Sequence, residues 1–369
     1  MNIHSRNLAL DVFRGLTVCF MIIVNTPGTW EYTYAPLQHA SWHGFTPTDL
    51  VFPSFLFAVG SSLYFSRRSW EHAAPAAVYR RILKRTFIIF LLGFLMYWFP
   101  FVRRAEGGLE FSPFSDTRIL GVLQRIALCY GVAALMVFKL DWKKIVGISL
   151  GLLLAYWGLM AWGGDYTMLG NLGQKIDLAI LGEKHMYHGE GVAFEPEGIL
   201  STLPSLVNVL FGFLVTVYLE EIGRKPSQLV RLFAAGVVLI LVSIAWHQVF
   251  PINKKLWTSS FVLQTVGWDM ILLSLLVYAV DKIAWKGWTR FFLVPGRNPL
   301  AVYLFSELLA ILLWFFQTGS GKSFYSSIYE SVFQPLGNYS GSFLFAISFM
   351  LVCWLFGYYL DRKGIYLKA

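Results

Sequence analysis

Long apolar runs separated by short polar segments set the plan of this chain. Stretches near the length that spans a hydrocarbon core of roughly 30 Å fall at residues 8–26, 49–66, 82–100, 119–138, 144–162, 203–221, 229–249, 257–280, 291–316 and 342–360. They predict an all-α fold: a polytopic membrane protein of about ten transmembrane helices, read as a single domain over residues 1–369 with no separate soluble domain. The ninth run is interrupted by Pro295-Gly296-Arg297-Asn298-Pro299, so its crossing part is expected to begin near Pro299, with the preceding residues at the interface. An even number of crossings puts the N and C termini on the same side.

Composition supports lipid as the main solvent: 56% of residues are hydrophobic and 14% charged, with a mean hydropathy of +0.58, more apolar than a water-exposed surface tolerates. A formal net charge of +9 would point to nucleic acid in a soluble protein. Here the charges lie mostly in short loops, so no nucleic-acid partner is expected and the lipid bilayer is the first partner. One side holds Arg6, Arg67, Arg68, Arg80, Arg81, Lys84, Arg85, Lys139, Lys143, Lys144, Arg224, Lys225, Arg231, Lys282, Lys286, Arg290, Arg362, Lys363 and Lys368, nineteen in all. The other holds eight: Arg103, Arg104, Arg118, Lys175, Lys184, Lys254, Lys255 and Lys322. The first side is therefore expected to be cytoplasmic, with both termini, while loops 27–48, 163–202, 250–256 and 317–341 face a periplasm, exterior or lumen. Trp98, Trp142, Trp162, Trp257 and Trp288 near predicted helix ends fit interfacial belts. The first run carries Asp11 and Arg14 and no small-residue cleavage site, which reads as a retained helix and not a signal peptide. Cys19, Cys129 and Cys353 lie in apolar runs with no CxxC, supporting neither a disulfide framework nor zinc.

Candidate chemistry concentrates in the first of the outward loops. It has no Lys or Arg, carries His39 and His43 among aromatic residues, and is flanked by Asn25 and Asp49. A neutral imidazole held there can accept a proton or attack an acyl carbon; an amphipathic interfacial loop would have a similar composition. Asp11 and Arg14, three residues apart on the first helix, read as a structural pair. Arg125, beside Gln124 inside the fourth run, would either pair with a carboxylate or contact an anionic cofactor. The basic segment from Arg67 to Arg85 can attract phosphates, although topology and anionic lipid account for it as well. Glu183, Glu190, Glu195 and Glu197 in the long outer loop could hold a cationic substrate. His185 and His188 there have no second ligand pair at a metal-site spacing, so no metal is assigned.

Several separated blocks resemble the heparan-α-glucosaminide N-acetyltransferase family. They are Leu10-Asp11-Val12-Phe13-Arg14-Gly15-Leu16-Thr17, Met21-Ile22-Ile23-Val24-Asn25, His39-Ala40-Ser41-Trp42 and Asp49-Leu50-Val51-Phe52-Pro53. Further blocks are Arg118 through Arg125, Glu195-Pro196-Glu197-Gly198 with Ser201-Thr202, Asn253 through Thr258, and Gly296-Arg297-Asn298. The resemblance runs from residue 6 nearly to the C-terminus and agrees with the topology drawn from loop charge.

The resemblance implies an acyl-CoA-dependent N-acetyltransferase that takes acetyl from cytosolic acetyl-CoA and delivers it to an amino sugar across the membrane. His39 matches the family's active-site histidine, whereas His43 stands where relatives often have Asn. Asn25 and Asp49 match positions of the same catalytic site, and Arg125, Gln124, Arg14, Trp257 and Asn298 are the candidates for binding acetyl-CoA. Its pantetheine arm would thread between helices one, two and four, with its phosphates near the basic face. His39 would act either through an acetyl-imidazole or as general base in a ternary complex. The chain lacks the lumenal N-terminal domain of the animal enzyme, so free glucosamine or a glucosamine-terminated saccharide is the expected acceptor, and a bacterial inner membrane the expected location. Relatives imply a homodimer. An amino-sugar transporter and an O-acyltransferase of an envelope glycan are the alternatives, and the absence of a visible inverted repeat weighs against transport.

Overall fold

The computed structural model describes residues 8–105 and 108–367. Arg6 and Lys368 of the charge count lie outside them. Thirteen α-helices follow among the described residues: α1 Leu8–Asn25, α2 Val51–Trp70, α3 Pro75–Trp98, α4 Val122–Lys139, α5 Trp142–Gly163, α6 Leu172–Leu181, α7 Thr202–Val217, α8 Pro226–His247, α9 Ser259–Val277, α10 Thr289–Arg297, α11 Pro299–Phe315, α12 Phe324–Ile328 and α13 Asn338–Lys363. Two short antiparallel strands, β1 Val102–Ala105 and β2 Gly108–Phe111, pair between α3 and α4. The all-α membrane architecture read from the apolar runs is therefore the one observed.

Eight helices among the described residues are long and apolar enough to cross a membrane, and the bent pair α10 and α11 makes a ninth span if counted as one. That pair turns by 81° at Asn298. Pro295 sits inside α10 and Pro299 opens α11, so the chain breaks where the Pro-Gly-Arg-Asn-Pro run predicts. The predicted run 82–100 falls on α3, which is outside the set of nine. Arg80, Arg81, Lys84 and Arg85 occupy its N-terminal half and leave too short an uncharged stretch.

Contacts divide the chain into two compact units. Among the described residues, one contains 8–39, Thr46–Phe52 and 276–367. Its centre is α1 against α10: a Cβ on Gly15 would fall 1.7 Å from the Phe292 carbonyl oxygen, and one on Gly296 would fall 2.0 Å from that of Asp11. Only glycine permits so close a backbone approach, the small-residue packing that joins helices in lipid. The Asp11–Arg14 ion pair, 3.0 Å, lies beside this crossing. Asn298 ties the C-terminal segment down: its Nδ2 donates to the Ile365 carbonyl at 3.0 Å, and its Oδ1 accepts from the Leu367 N–H at 3.1 Å.

The other unit contains Ala40–Phe45 and Pro53–Leu275. Here α2 crosses α7 at Gly60 and Gly212, where added Cβ atoms would lie 1.8 and 1.9 Å from the Val209 and Phe57 carbonyl oxygens. At the end of α5, Tyr156, Met160, Phe194, Phe250 and Leu256 form a buried aromatic cluster, with Trp42 and Tyr166 packed against it. The cluster anchors the 40–45 segment: the Trp42 indole donates to the Tyr166 carbonyl at 2.8 Å, and the Gly44 N–H donates to that of Ile252 at 2.8 Å.

Candidate functional site

The segment leading to His39 is built by local hydrogen bonds that its sequence encodes. Thr46-Pro47-Thr48-Asp49 begins the helical turn before α2. Pro47 sits at its first position, and the Asp49 carboxylate reaches back to accept the Thr46 N–H at 3.0 Å, a capping-box arrangement. Thr48 Oγ1 donates to the Pro36 carbonyl at 3.1 Å and Gln38 Nε2 to that of Thr33 at 2.8 Å, which folds the loop upon itself. The Thr46 hydroxyl lies 2.7 Å from the Gln38 carbonyl and 3.1 Å from Asp49 Oδ2.

His39 Nδ1 is 2.7 Å from Asp49 Oδ1, and the Asp49 side chain is 1% exposed while that of His39 is 37% exposed. A carboxylate oxygen can only accept, so the imidazole donates from Nδ1, and its neutral form carries its lone pair on Nε2. A buried carboxylate fixing one imidazole nitrogen so that the other works as base or nucleophile is the orienting logic of hydrolytic triads. Asn25, the last residue of α1 and exposed, belongs to the same unit. Its chain continuation is held: Thr26 Oγ1 donates to the Ile22 carbonyl at 2.8 Å, and the Gly28 N–H to that of Ser342 at 3.2 Å.

His43 is wired the other way. Asn253 is fully buried, its Oδ1 accepts the Leu256 N–H at 2.8 Å, and its Nδ2 therefore faces His43 Nδ1 as donor at 3.3 Å. Neutral His43 thus keeps its proton on Nε2. Burial, with His247 adding to it, holds the His43 pKa below the usual imidazole range.

Two arginines of one sequence block meet different fates in the larger unit. Arg118 lies between the rings of Tyr97 and Tyr187, 4.8 Å from each centroid, and holds both oxygens of Glu195 and one of Glu197. Those glutamates are thus taken by an internal arginine, not left open for a cationic substrate. Arg125, fully buried over the Trp257 ring at 4.9 Å, makes no ion pair among the described residues. Its Nη2 donates to the Gly198 carbonyl at 3.2 Å and to the Ser201 hydroxyl, while its Nε and Nη1 find no acceptor. Leaving a buried charged donor unmet costs on the order of 1–3 kcal/mol or more, so these two donors suit a ligand acceptor such as a carbonyl or anionic oxygen. Of the two outcomes open to Arg125 in the sequence, the carboxylate partner is not the one found.

Gln124 is also buried, donates to the Ile119 carbonyl at 3.0 Å, and leaves its Oε1 unmet. Trp257 is 1% exposed, and its indole donates to Asn208 Oδ1 at 3.0 Å. It is a core residue, which corrects its reading as part of an interfacial belt; Trp162, 84% exposed, fits that reading. Asp177, buried below Gly198, accepts the Ile199 N–H at 2.8 Å, and burial pushes its pKa up to about 6.

The structure thus brings His39 to Asp49, and Arg125 to Trp257. Arg14 and Asn298, candidates for the donor, engage Asp11 and the C-terminal backbone. Sequence reading misses Thr46, which the Thr-Pro-x-Asp cap signature marks, and gives Asn253 no role. It also misses Asp269 on α9, which accepts from the Ser54 hydroxyl at 2.5 Å; a lone acid in an apolar run is its signal.

Residues 6–250 match the family described as heparan-alpha-glucosaminide N-acetyltransferase, catalytic. The human protein named heparan-alpha-glucosaminide N-acetyltransferase is 29% identical over 361 residues, covering 81% of this chain and 52% of that protein. The mouse protein of the same name is 29% identical over 372 residues, covering 83% and 54%. This chain spans about half the length of the curated relatives it matches.

Proposed function

The chain belongs to the heparan-α-glucosaminide N-acetyltransferase family, and from that premise we propose that it transfers acetyl from acetyl-CoA to the amino group of glucosamine or of a glucosamine-terminated saccharide. The observation that carries this reading is the His39–Asp49 pair at 2.7 Å. An amine must lose a proton to attack a thioester, and an imidazole with its lone pair on Nε2 can take it. Asp49 orients the ring and stabilises the cation that forms, while the Thr46 N–H holds the carboxylate. As a nucleophile, the same Nε2 would accept the acetyl group itself.

Acetyl-CoA supplies the activated acyl group. Arg125, with its two unmet donors, and Gln124 are the side chains that would hold its polar arm, with Trp257 backing the Arg125 guanidinium. Asn25 would orient the reacting carbonyl. Arg14 and Asn298 we assign to holding α1 and the C-terminal segment. On the charge count, the His39 loop faces away from the cytoplasm, which in a bacterium is the periplasmic side of the inner membrane.

The test is incubation of the purified protein with labelled acetyl-CoA and glucosamine. The expected product is an alkali-stable amide. An alkali-labile product would mean O-acylation. Uptake of glucosamine into vesicles without acetyl-CoA, and no product, would mean transport.

A further inference from the structure

Trp257 adopts a backbone conformation that its residue type opposes. Its φ is 53°, in the left-handed region where a Cβ crowds the backbone and where glycine or asparagine usually stands. Phe101 and Ala284 are the other non-glycine residues with positive φ among the described residues, and of the three Trp257 alone is buried. Such strain persists only where the surroundings over-determine it. Here they do. Asn253 Oδ1 accepts the Leu256 N–H at 2.8 Å, and the Asn253 carbonyl accepts the Thr258 N–H at 3.1 Å. Thr258 Oγ1 accepts the Asn253 N–H at 3.1 Å and donates to the Pro251 carbonyl at 2.8 Å. The Tyr156 hydroxyl donates to the Leu256 carbonyl at 2.5 Å.

A turn into α9 needs no indole, because glycine would make it without strain. What the tryptophan adds is a ring against Arg125, 4.9 Å from the guanidinium carbon to the centroid. That ring is itself fixed. Its Nε1–H donates to Asn208 Oδ1 on α7 at 3.0 Å, and Asn208 Nδ2 donates to Thr265 Oγ1 on α9 at 3.0 Å. Asn208 and Thr265 are fully buried, so water does not compete for these bonds. Arg125 Nη2 is held separately, by the Gly198 carbonyl and the Ser201 hydroxyl. The guanidinium thus has one face and one nitrogen fixed, while Nε and Nη1 meet no acceptor. A group held in place before its ligand arrives loses little side-chain freedom on binding.

We propose that Asn208 and the strained turn at Trp257 are positioning residues of the donor site, fixing the Arg125 guanidinium so that its two unmet donors receive a carbonyl or anionic oxygen of acetyl-CoA. The inference rests on the acetyltransferase reading above. Asn208 acts through the Trp257 ring and not on the donor itself.

Calorimetric titration of the full-length protein in detergent with acetyl-CoA, alongside initial rates, tests this. Asn208→Leu keeps the volume and removes the acceptor of the indole. It should weaken acetyl-CoA binding about tenfold, the worth of one buried hydrogen bond, and raise the acetyl-CoA KM equally, with the glucosamine KM unchanged. Made in an Arg125→Gln background, the same substitution should cost no further affinity, because the group it positions is gone. Trp257→Phe keeps an aromatic face, loses the indole donor, and should show the same loss with the same dependence on Arg125. Binding as tight as wild type in both variants, or equal losses with and without Arg125, overturns the positioning role; acetyl transfer by wild type then leaves the acetyltransferase reading standing. Losses that depend on Arg125, with no acetyl transfer by wild type, support the role and overturn that reading. No saturable binding of acetyl-CoA by wild type overturns both.

Discussion

His39 and His43 lie in one loop and are opposites in hydrogen bonding. His39 gives its Nδ1 proton to a buried carboxylate at 2.7 Å; His43 receives at Nδ1 from the amide of Asn253 at 3.3 Å. A carboxylate stabilises an imidazolium, whereas an amide donor aimed at the same nitrogen opposes it. Residue type and position in sequence do not separate these two histidines; their partners do. The same lesson holds for Arg118, saturated by Glu195 and Glu197, and Arg125, whose Nε and Nη1 meet no acceptor.

The largest effect short of removing His39 is expected from Asp49→Asn. It can present a donor to Nδ1 and so turn His39 into the His43 arrangement, lowering kcat by about 10²–10⁴. A loss below tenfold in steady-state rates would remove Asp49 as the orienting group. Next, Arg125→Gln should raise the acetyl-CoA KM by roughly 10- to 100-fold, the worth of a charged hydrogen bond of about 1.5–3 kcal/mol. Arg118→Gln should instead leave that KM alone and lower stability by about 3–5 kcal/mol, because it strands two acids. Equal effects of the two variants on KM would dissolve the contrast between the arginines.

The smallest effect concerns pH. His43 has its folded pKa lowered, so the unfolded chain takes up this proton first and stability falls as pH drops below about 6.5. Thermal melts from pH 7.5 to 5.5 should show a shallower decline in His43→Gln than in wild type. Asp177, raised to about 6, binds its proton more readily folded than unfolded and so stabilises as pH falls below that value. The difference between the two proteins, and not the raw melt, therefore reports on His43. Identical slopes would contradict a His43 pKa lowered by burial and His247.

Much of the fold was legible because lipid imposes a single strong rule, the long apolar helix. Each of the ten apolar runs coincides with helix, and the break at Asn298 follows from its flanking prolines. The elements without such a signal, α6, α12 and the β1–β2 pair, lie in polar segments where no periodicity marks them. At the site, His39 and Asp49 stand out by resemblance, but their 2.7 Å contact closes a loop ten residues long, and no local pattern short of the Thr46 cap indicates that closure. The fate of Arg125 was not readable at all. Which of several acids reaches which arginine depends on how α4 packs against the 195–202 segment, and no local pattern encodes that choice.

The most direct test compares initial rates of acetyl transfer from acetyl-CoA to glucosamine for wild type, His39→Ala and His43→Gln, all purified in detergent. The account predicts a rate at least 10³-fold lower for His39→Ala, at the upper part of the range for a lost base or nucleophile, and a rate within about tenfold of wild type for His43→Gln. Turnover retained in His39→Ala, or lost equally in His43→Gln, would contradict it.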